Sequence, residues 1–182
     1  MTSEALDLEA RIQRLEDIES IRTLKGRYHT YVNDTDFDRV GSLFAVDASL
    51  NLGYLMPDEA AIIGRAEIQA AFSGMKSNTS QSQLKQFLHS HIVEVTGPHS
   101  ASGTGMLYAC YGVHADAYVV AGKYSEEYVR VDGSEWLFQT MDLALYFTVP
   151  LAIGWAGAKR HYLVNSGQEV PVYDPLLPNP AV

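Results

Sequence analysis

Side chains that can donate or accept protons crowd the stretch "GRYHTYVNDTDFDRVGSLF", residues 26–44. A phenol such as that of Tyr28 can donate a hydrogen bond to a substrate oxygen, and a carboxylate buried beside it has a raised pKa that suits a general base. The stretch therefore indicates acid/base chemistry by Tyr28 and Asp34. Two plainer interpretations stay open, a core tyrosine for Tyr28 and a turn former for Asp34.

A second group with possible chemistry is "HSH", which places His89 and His91 two residues apart in a predicted strand. Residues at this spacing share one face of a strand. His89 is either an acid/base group facing a pocket or a solvated side chain, because the apolar content of the two faces is nearly equal. We predict no metal site here, since a third ligand is not evident.

The first group depends on a long amphipathic helix. Apolar residues recur at spacings of three and four, which marks one helix face; they are Leu8, Ile12, Leu15, Ile18, Ile21, Leu24 and Tyr28. We expect the helix to end at Tyr31 or Val32, before "NDTD". A short helix in "FDRVGSLF" and a third in "GRAEIQAAFSGM" should follow.

The second group depends on a sheet. "ASLNLGYL" predicts a short strand, and from Gln83 onward about four longer strands follow, with a hairpin at Asp132–Gly133. Helices followed by an antiparallel meander predict an α+β domain in which a curved sheet encloses a pocket against the helices. We assign residues 1–160 to this single domain and residues 161–182 to a proline-rich C-terminal arm.

Composition limits the possible partners. The chain has 182 residues and a formal net charge of −9, which argues against binding nucleic acid or anionic membranes. Cys110 is the only cysteine, so an internal disulfide is excluded. The charged N-terminus does not look like a signal peptide, and the longest apolar run is too short to span a membrane. We therefore expect a cytoplasmic protein.

The stretch "RIQRLEDIESIRTLKGRYHTYVNDTDFDRVGSLFAVDA" resembles the N-terminal signature of the SnoaL-like group in the nuclear-transport-factor-2-like superfamily. This group includes polyketide cyclases, scytalone dehydratase, bile-acid dehydratase and lindane dehydrochlorinase. The resemblance covers roughly residues 9 to 157. It implies a cone-shaped α+β barrel, a deep apolar pocket, and acid/base catalysis without a cofactor or metal by an Asp–His pair with assisting tyrosines.

The chain departs from the family at that pair. Tyr28 falls on the family's helix tyrosine, but the aspartate position holds Asn33 and the histidine position falls at or near Gln86. We therefore predict Tyr28, Asp34 and His89 as catalytic residues, with Asp34 or His89 as the base. The predicted substrate-binding residues are Tyr31, Asn33, Tyr54, Gln86, Tyr108 and Trp155.

The function predicted from these residues is that of a cofactor-independent lyase or isomerase. Its substrate would be a hydrophobic aromatic or polycyclic hydroxy or carbonyl compound, which undergoes dehydration, elimination or deformylation. Two alternatives stay open, a non-catalytic small-molecule-binding protein and the small subunit of a ring-hydroxylating dioxygenase. The resemblance also implies a homodimer or homotrimer.

Overall fold

The computed structural model describes residues 7–53, 61–76, 82–113, 116–131, 135–152, 154, 161–162 and 169–170. Its helices are α1 (Leu8–Asn33), a 3₁₀ helix (Phe37–Leu43) and α2 (Arg65–Lys76). α1 begins at Leu8 because the Asp7 side chain accepts a hydrogen bond from the Ala10 backbone N–H at 2.8 Å. All the predicted helices are present, although the second is a 3₁₀ helix.

The strands are β1 (Phe44–Asn51), β2 (Ile62–Ile63), β3 (Ser82–Gly97), β4 (Ser100–Val113), β5 (Asp116–Arg130), β6 (Trp136–Pro150), β7 (His161–Tyr162) and β8 (Glu169–Val170). Their order is β2-β1-β6-β5-β4-β3, and β7 joins β6 and β8. β6 runs parallel to β1 and β7, whereas the other pairs are antiparallel. This arrangement confirms the predicted α+β class. Within the described part of the chain, the curved sheet stays open, with β2 and β3 at its edges.

Irregularities bend the long strands. The register between neighbours shifts in β3 between His89 and Ile92, and in β6 at Tyr146, which is the extra residue opposite Ala121 and Gly122 of β5. Ser90 in the first of these has a φ of 50°, which is rare for a residue with a side chain. Such bulges add an extra residue, bend the strand and change which side chains face inward.

The core lies between the concave sheet and the helices. Buried side chains come from α1, α2 and strands β1, β4, β5 and β6; among the largest are Ile21, Tyr28, Phe44, Phe72, Tyr124, Tyr128, Phe138 and Met141. Around the ring of Tyr28, the rings of Phe44, Phe72 and Phe138 pack edge-on at centroid distances of 6.0–6.4 Å. The C-terminal half of α1 therefore lies against the sheet.

The N-terminal half of α1 does not. Leu8, Ile12 and Leu15 begin the predicted apolar face, yet they are 68%, 47% and 67% exposed. Burial on α1 begins at Asp17. The predicted single apolar face is wrong, because at 3.6 residues per turn these three side chains lie roughly opposite the buried side of α1. The first turns also have no buried residue, so they extend beyond the sheet.

Two other predictions fall partly outside the described residues. Arg130 pairs with Trp136 across the predicted hairpin, but its Asp132–Gly133 turn is outside them. β7 and β8 lie in the segment assigned to the arm, and they are the part of it that is described.

Among the described helices, none has the length and apolarity needed to cross a membrane.

Candidate active site

Polar side chains meet between α1 and the concave face of the sheet. We call them the interior cluster; its members are Lys25, Tyr28, His29, Gln86, His91, Tyr124, Glu126 and Tyr128. α1 supplies the first three, β3 supplies Gln86 and His91, and β5 supplies the rest. Polar groups are rarely buried in such number without a structural or functional reason.

An ion pair occupies the centre of the cluster. The Lys25 ammonium donates to Glu126 Oε1, and both side chains are 0% exposed. The ammonium also lies over the Tyr124 ring, 3.3 Å from its centroid. The pair therefore joins α1 to β5 through two fully buried charges.

The other oxygen of Glu126 continues into a hydrogen-bonded chain. Tyr128 donates its hydroxyl proton to Glu126 Oε2 at 2.5 Å. His91 Nε2 lies 3.0 Å from the Tyr128 oxygen and 3.4 Å from Glu126 Oε2. Because the single hydroxyl proton is already donated, His91 Nε2 must be the donor in its contact with Tyr128. In the neutral ring, Nδ1 then carries the free lone pair.

The bulge in β3 places His91 in this chain. Leu84, Gln86 and Leu88 alternate inward, but the extra residue at Ser90 shifts the alternation. His91 therefore faces the interior, with its side chain 7% exposed, whereas His89 is exposed. The prediction that the two histidines share a face is wrong, because it assumed an unbroken alternation.

A glycine on β4 makes room for the same chain. A Cβ at Gly103 would lie 2.9 Å from Tyr128 Cε2 and 3.3 Å from His91 Nε2. Such a contact would force the two rings apart. The segment "GTG" at residues 103–105 therefore provides space beneath the His91–Tyr128 contact.

Several polar atoms of the cluster have no partner at full hydrogen-bond geometry within the described structure. They are Tyr28 OH, both ring nitrogens of His29, Gln86 Oε1, His91 Nδ1 and Tyr124 OH. The Tyr28 and Tyr124 hydroxyls interact with each other, as do His29 and Gln86, but neither contact is a well-formed hydrogen bond. The rings are close, with centroids 5.3 Å apart for Tyr28 and His29 and 5.9 Å apart for His29 and Tyr124. Native proteins pair almost all buried polar atoms, so a set without partners around one ion pair needs an explanation.

Burial sets the protonation of these groups. It raises the pKa values of the Tyr28 and Tyr124 phenols, and the nearby Glu126 carboxylate adds to both shifts. Burial also lowers the pKa of His29 to about 3, with help from the Lys25 charge. Near neutral pH, both phenols therefore keep their protons and the His29 imidazole is neutral.

The ion pair itself stays charged. Burial lowers the pKa of Lys25 to about 8, although the Glu126 carboxylate opposes this shift. Burial alone would raise the pKa of Glu126, but the Lys25 charge and the hydrogen bonds donated to the carboxylate lower it to about 2. A fixed positive charge thus lies next to the phenols.

The predicted catalytic residues lie in different places. Tyr28 is fully buried in the interior cluster. Asp34 is exposed at the end of α1, where its backbone N–H bonds to Thr30, and His89 is exposed on β3. The structure does not bring these three side chains together.

The predicted substrate-binding residues are also divided. Asn33 holds the edge strand β3: its Nδ2 donates to the Gln86 carbonyl at 2.8 Å, and its Oδ1 accepts from the Gln86 N–H at 2.7 Å. Tyr31 is half-buried with the Arg39 guanidinium 4.3 Å over its ring, and Tyr108 is 41% exposed on the outer face. Tyr54 and Trp155 lie outside the described residues.

Sequence reasoning missed Lys25 and Glu126. Lys25 lies one turn after Ile21 and one turn before Tyr28, on the buried side of α1. In β5, Glu126 lies between Tyr124 and Tyr128 at a spacing of two, which puts an acid and two phenols on one face. A charged residue in register with buried neighbours is the signal that could have found both.

A groove lined by described residues lies elsewhere, where α1 leaves the sheet. There Asp17 accepts from Arg130, from Gln13 Nε2 at 3.1 Å and from Trp136 Nε1 at 3.3 Å. The Arg130 guanidinium stacks on the Trp136 ring at 4.6 Å. We call Gln13, Asp17, Arg130 and Trp136 the rim cluster. This groove is open and is not the pocket predicted between the layers.

Among the described residues, no group of three His, Cys, Asp or Glu side chains is placed to hold a metal ion. The chemistry available to the interior cluster is that of its phenols, imidazoles, carboxylate and ammonium. These groups can donate to an oxygen, accept a proton and stabilise a developing negative charge.

Comparison with known proteins identifies the family to which most of the chain belongs. A SnoaL-like domain matches residues 13–142, which confirms the resemblance predicted from the N-terminal signature. No curated protein matches the chain.

Solved structures share the fold at low sequence identity. Hexachlorocyclohexane dehydrochlorinase of Novosphingobium barchaimii LL02 is 18% identical, with a TM-score of 0.67 over 84% of this chain and 97% of that one. A protein of Novosphingobium aromaticivorans DSM 12444, whose suggested activity is that of a scytalone dehydratase, is 16% identical with a TM-score of 0.65 over 74% and 87%. An NTF2-like protein from Novosphingobium aromaticivorans is 23% identical, with a TM-score of 0.60 over 79% and 92%.

Proposed function

Because the chain belongs to the SnoaL-like domain family, we propose that it is a cofactor-independent acid/base enzyme, a lyase or an isomerase. Its substrate would be a hydrophobic aromatic or polycyclic compound with a hydroxyl or carbonyl group. The observation that carries this proposal is the set of buried polar atoms without partners around the Lys25–Glu126 ion pair. A substrate oxygen and an acidic C–H group would complete these contacts.

His91 is the proton acceptor in this proposal. Its Nε2 must donate toward Tyr128, so its Nδ1 has the lone pair that can take a proton. The imidazolium that forms is stabilised by the Glu126 carboxylate, 3.4 Å from Nε2. Glu126 thus does for His91 what a carboxylate partner does for a catalytic histidine in general, by fixing the tautomer and balancing the charge.

The two phenols act on the oxygen side. The Tyr28 and Tyr124 hydroxyls are buried next to each other without a well-formed hydrogen bond, and their raised pKa values keep them protonated as hydrogen-bond donors. The Lys25 ammonium, over the Tyr124 ring, stabilises negative charge that develops on a bound oxygen. The aromatic rings packed around Tyr28 would suit an apolar ring system next to that oxygen.

The proposed reaction needs only His91 and the two phenols, and no other co-reactant. His91 Nδ1 takes a proton from carbon, and the electron pair of that C–H bond forms a C=C bond. In an isomerisation, the adjacent carbonyl becomes an enolate held by the phenols, and the proton returns at another carbon. In an elimination, the leaving group departs with its electron pair, and a phenol donates to it if it is an oxygen.

The test begins with a panel of aromatic and polycyclic hydroxy and carbonyl compounds, screened by thermal shift and then assayed by mass spectrometry. For a compound that is converted, His91→Gln and Tyr28→Phe should each lower kcat by roughly 10²–10⁴-fold. The matched control is His89→Gln, an exposed histidine two residues away on the same strand, which should leave kcat unchanged. Urea unfolding of each variant separates lost chemistry from lost folding.

Two results would contradict this proposal. Full turnover by a folded His91→Gln variant would show that His91 is not the base. A bound compound that is recovered unchanged at every pH would show that the protein does not act as an enzyme on it.

A non-catalytic binding protein is the second candidate, and one observation favours it. At the two positions where the resemblance places an acid–base pair, Asn33 and Gln86 are joined by side-chain-to-backbone hydrogen bonds. That contact holds β3 in place and moves no proton. In this case the interior cluster would recognise a ligand without converting it.

A further inference from the structure

The exposed first turns of α1 present an apolar stripe that no other element of the described residues covers. Leu8, Ile12 and Leu15 are 68%, 47% and 67% exposed. Residues 8–16 are exposed on every side, although the segment is helical and capped by Asp7. An isolated helical extension of this length is marginal in water, and the stripe lies roughly opposite the side that contacts the sheet, which Asp17, Ile21 and Leu24 mark.

The spacing of the stripe fits a two-stranded coiled coil. Steps of four and three residues place Leu8 and Leu15 at d positions and Ile12 at an a position of a heptad. Leucine at d with a β-branched residue at a favours two parallel strands. The stripe therefore fits the same segment of a second copy, in register.

The flanking charges favour the same arrangement. In this heptad, Arg11 occupies a g position, and Glu9 and Glu16 occupy e positions. A parallel pair brings Arg11 of each copy beside Glu16 of its partner, so opposite charges meet twice. An antiparallel pair would instead bring the e-position glutamates of the two copies together.

We propose that residues 8–16 of α1 form a parallel coiled coil with the same segment of a second copy of this chain. The sheets then lie on the outer sides of the pair, since each α1 turns its buried side away from the seam. The area is small compared with a standard interface, so the dimer is weak and depends on protein concentration.

The experiment is sedimentation analysis of the full chain across a concentration series. The wild type should shift from one chain to two as concentration rises, Ile12→Asp should stay at one chain, and Ala10→Asp should behave as the wild type. Ala10 is an exposed residue away from the seam, so Ala10→Asp adds the same negative charge as Ile12→Asp without placing it in the contact. Arg11→Glu should weaken the dimer, and Glu16→Arg added to it should restore it.

Orientation is tested with Leu8→Cys in a Cys110→Ser background. An in-register parallel pair brings the two introduced thiols together, so oxidation should link two chains, whereas an antiparallel pair separates them. A wild type that is monomeric throughout, or an Ile12→Asp variant of unchanged mass, overturns the proposal. So does a dimer that survives Ile12→Asp but not Tyr108→Asp, because the contact would then use the outer face of the sheet.

Discussion

Two ion pairs join α1 to β5, and their surroundings differ. In the rim cluster, Asp17 and Arg130 are 6% and 17% exposed, and Asp17 also accepts from Gln13 and Trp136. In the interior cluster, Lys25 and Glu126 are both 0% exposed, and the phenols and imidazoles beside them include atoms without partners. The buried carboxylate of the rim cluster has its hydrogen-bond partners, so a structural role is enough to explain that cluster. The interior cluster contains buried polar atoms without well-formed hydrogen bonds, and for this reason we treat it as the candidate site.

The largest expected effect is the loss of one charge from each pair. Lys25→Met leaves the Glu126 carboxylate buried without its cation, and we expect a loss of about 3–5 kcal/mol in the free energy of unfolding. Arg130→Met leaves Asp17 with two other donors and access to water, so the loss should be about 1–3 kcal/mol. Urea unfolding measures both.

A double variant sharpens this difference. Adding Glu126→Gln to Lys25→Met removes the stranded charge and should recover part of the lost stability. Equal losses for Lys25→Met and Arg130→Met would show that the difference in burial has no energetic consequence.

The next largest effect is a loss of folding stability at low pH, caused by His29 and Glu126 of the interior cluster. Burial lowers the pKa of His29 from 6.5 to about 3, so between these values the unfolded chain binds a proton that the folded chain does not. Stability is therefore lost as pH falls from 6.5 toward 3. The pKa of Glu126 is lowered from 4.5 to about 2, so its contribution is lost as pH falls through that range. The free energy of unfolding should decline from pH 6.5 downward.

His29→Gln separates the two contributions. It should remove the decline between pH 6.5 and 4.5 and keep the decline below pH 4.5, where Glu126 takes up its proton. A variant with the same slope as the wild type above pH 4.5 would show that another group titrates there.

A smaller effect is expected where α1 ends. Asn33→Asp keeps the shape of the side chain but loses the donor to the Gln86 carbonyl, so it should cost about 1–3 kcal/mol. Asp34→Asn, at the exposed neighbouring position, is the matched control and should change little. Thermal and urea unfolding of both would test whether Asn33 anchors β3, and equal stability would refute it.

The smallest effect belongs to the surface pair beside the rim cluster. Arg27 and Glu135 lie 3.6 Å apart with side chains 49% and 82% exposed. Solvent screens such a pair, so Arg27→Gln should change stability by less than about 0.5 kcal/mol. A larger loss in urea would mean that this pair is coupled to Asp17 and Arg130.

Much of the fold could be predicted because its signals are local. The apolar spacing of α1, the period of two in the long strands and the family signature each depend on neighbouring residues. The site was harder, because its members come from α1, β3 and β5 and meet only in the folded chain. His91 faces inward through one extra residue at Ser90, and that bulge leaves no clear mark in the alternation of "LKQFLHSHIVEV".

By itself, the sequence determined the helices, the long strands, the α+β class, the family and the inward position of Tyr28, because periodicity and local propensity act over a few residues. Tertiary structure alone decided that Lys25 and Glu126 pair in the core, that His91 and not His89 faces the interior, and that Asn33 binds the backbone of β3. The physical reason is that a charge is buried only where a partner from a distant segment offsets its desolvation. No local pattern specifies that partner.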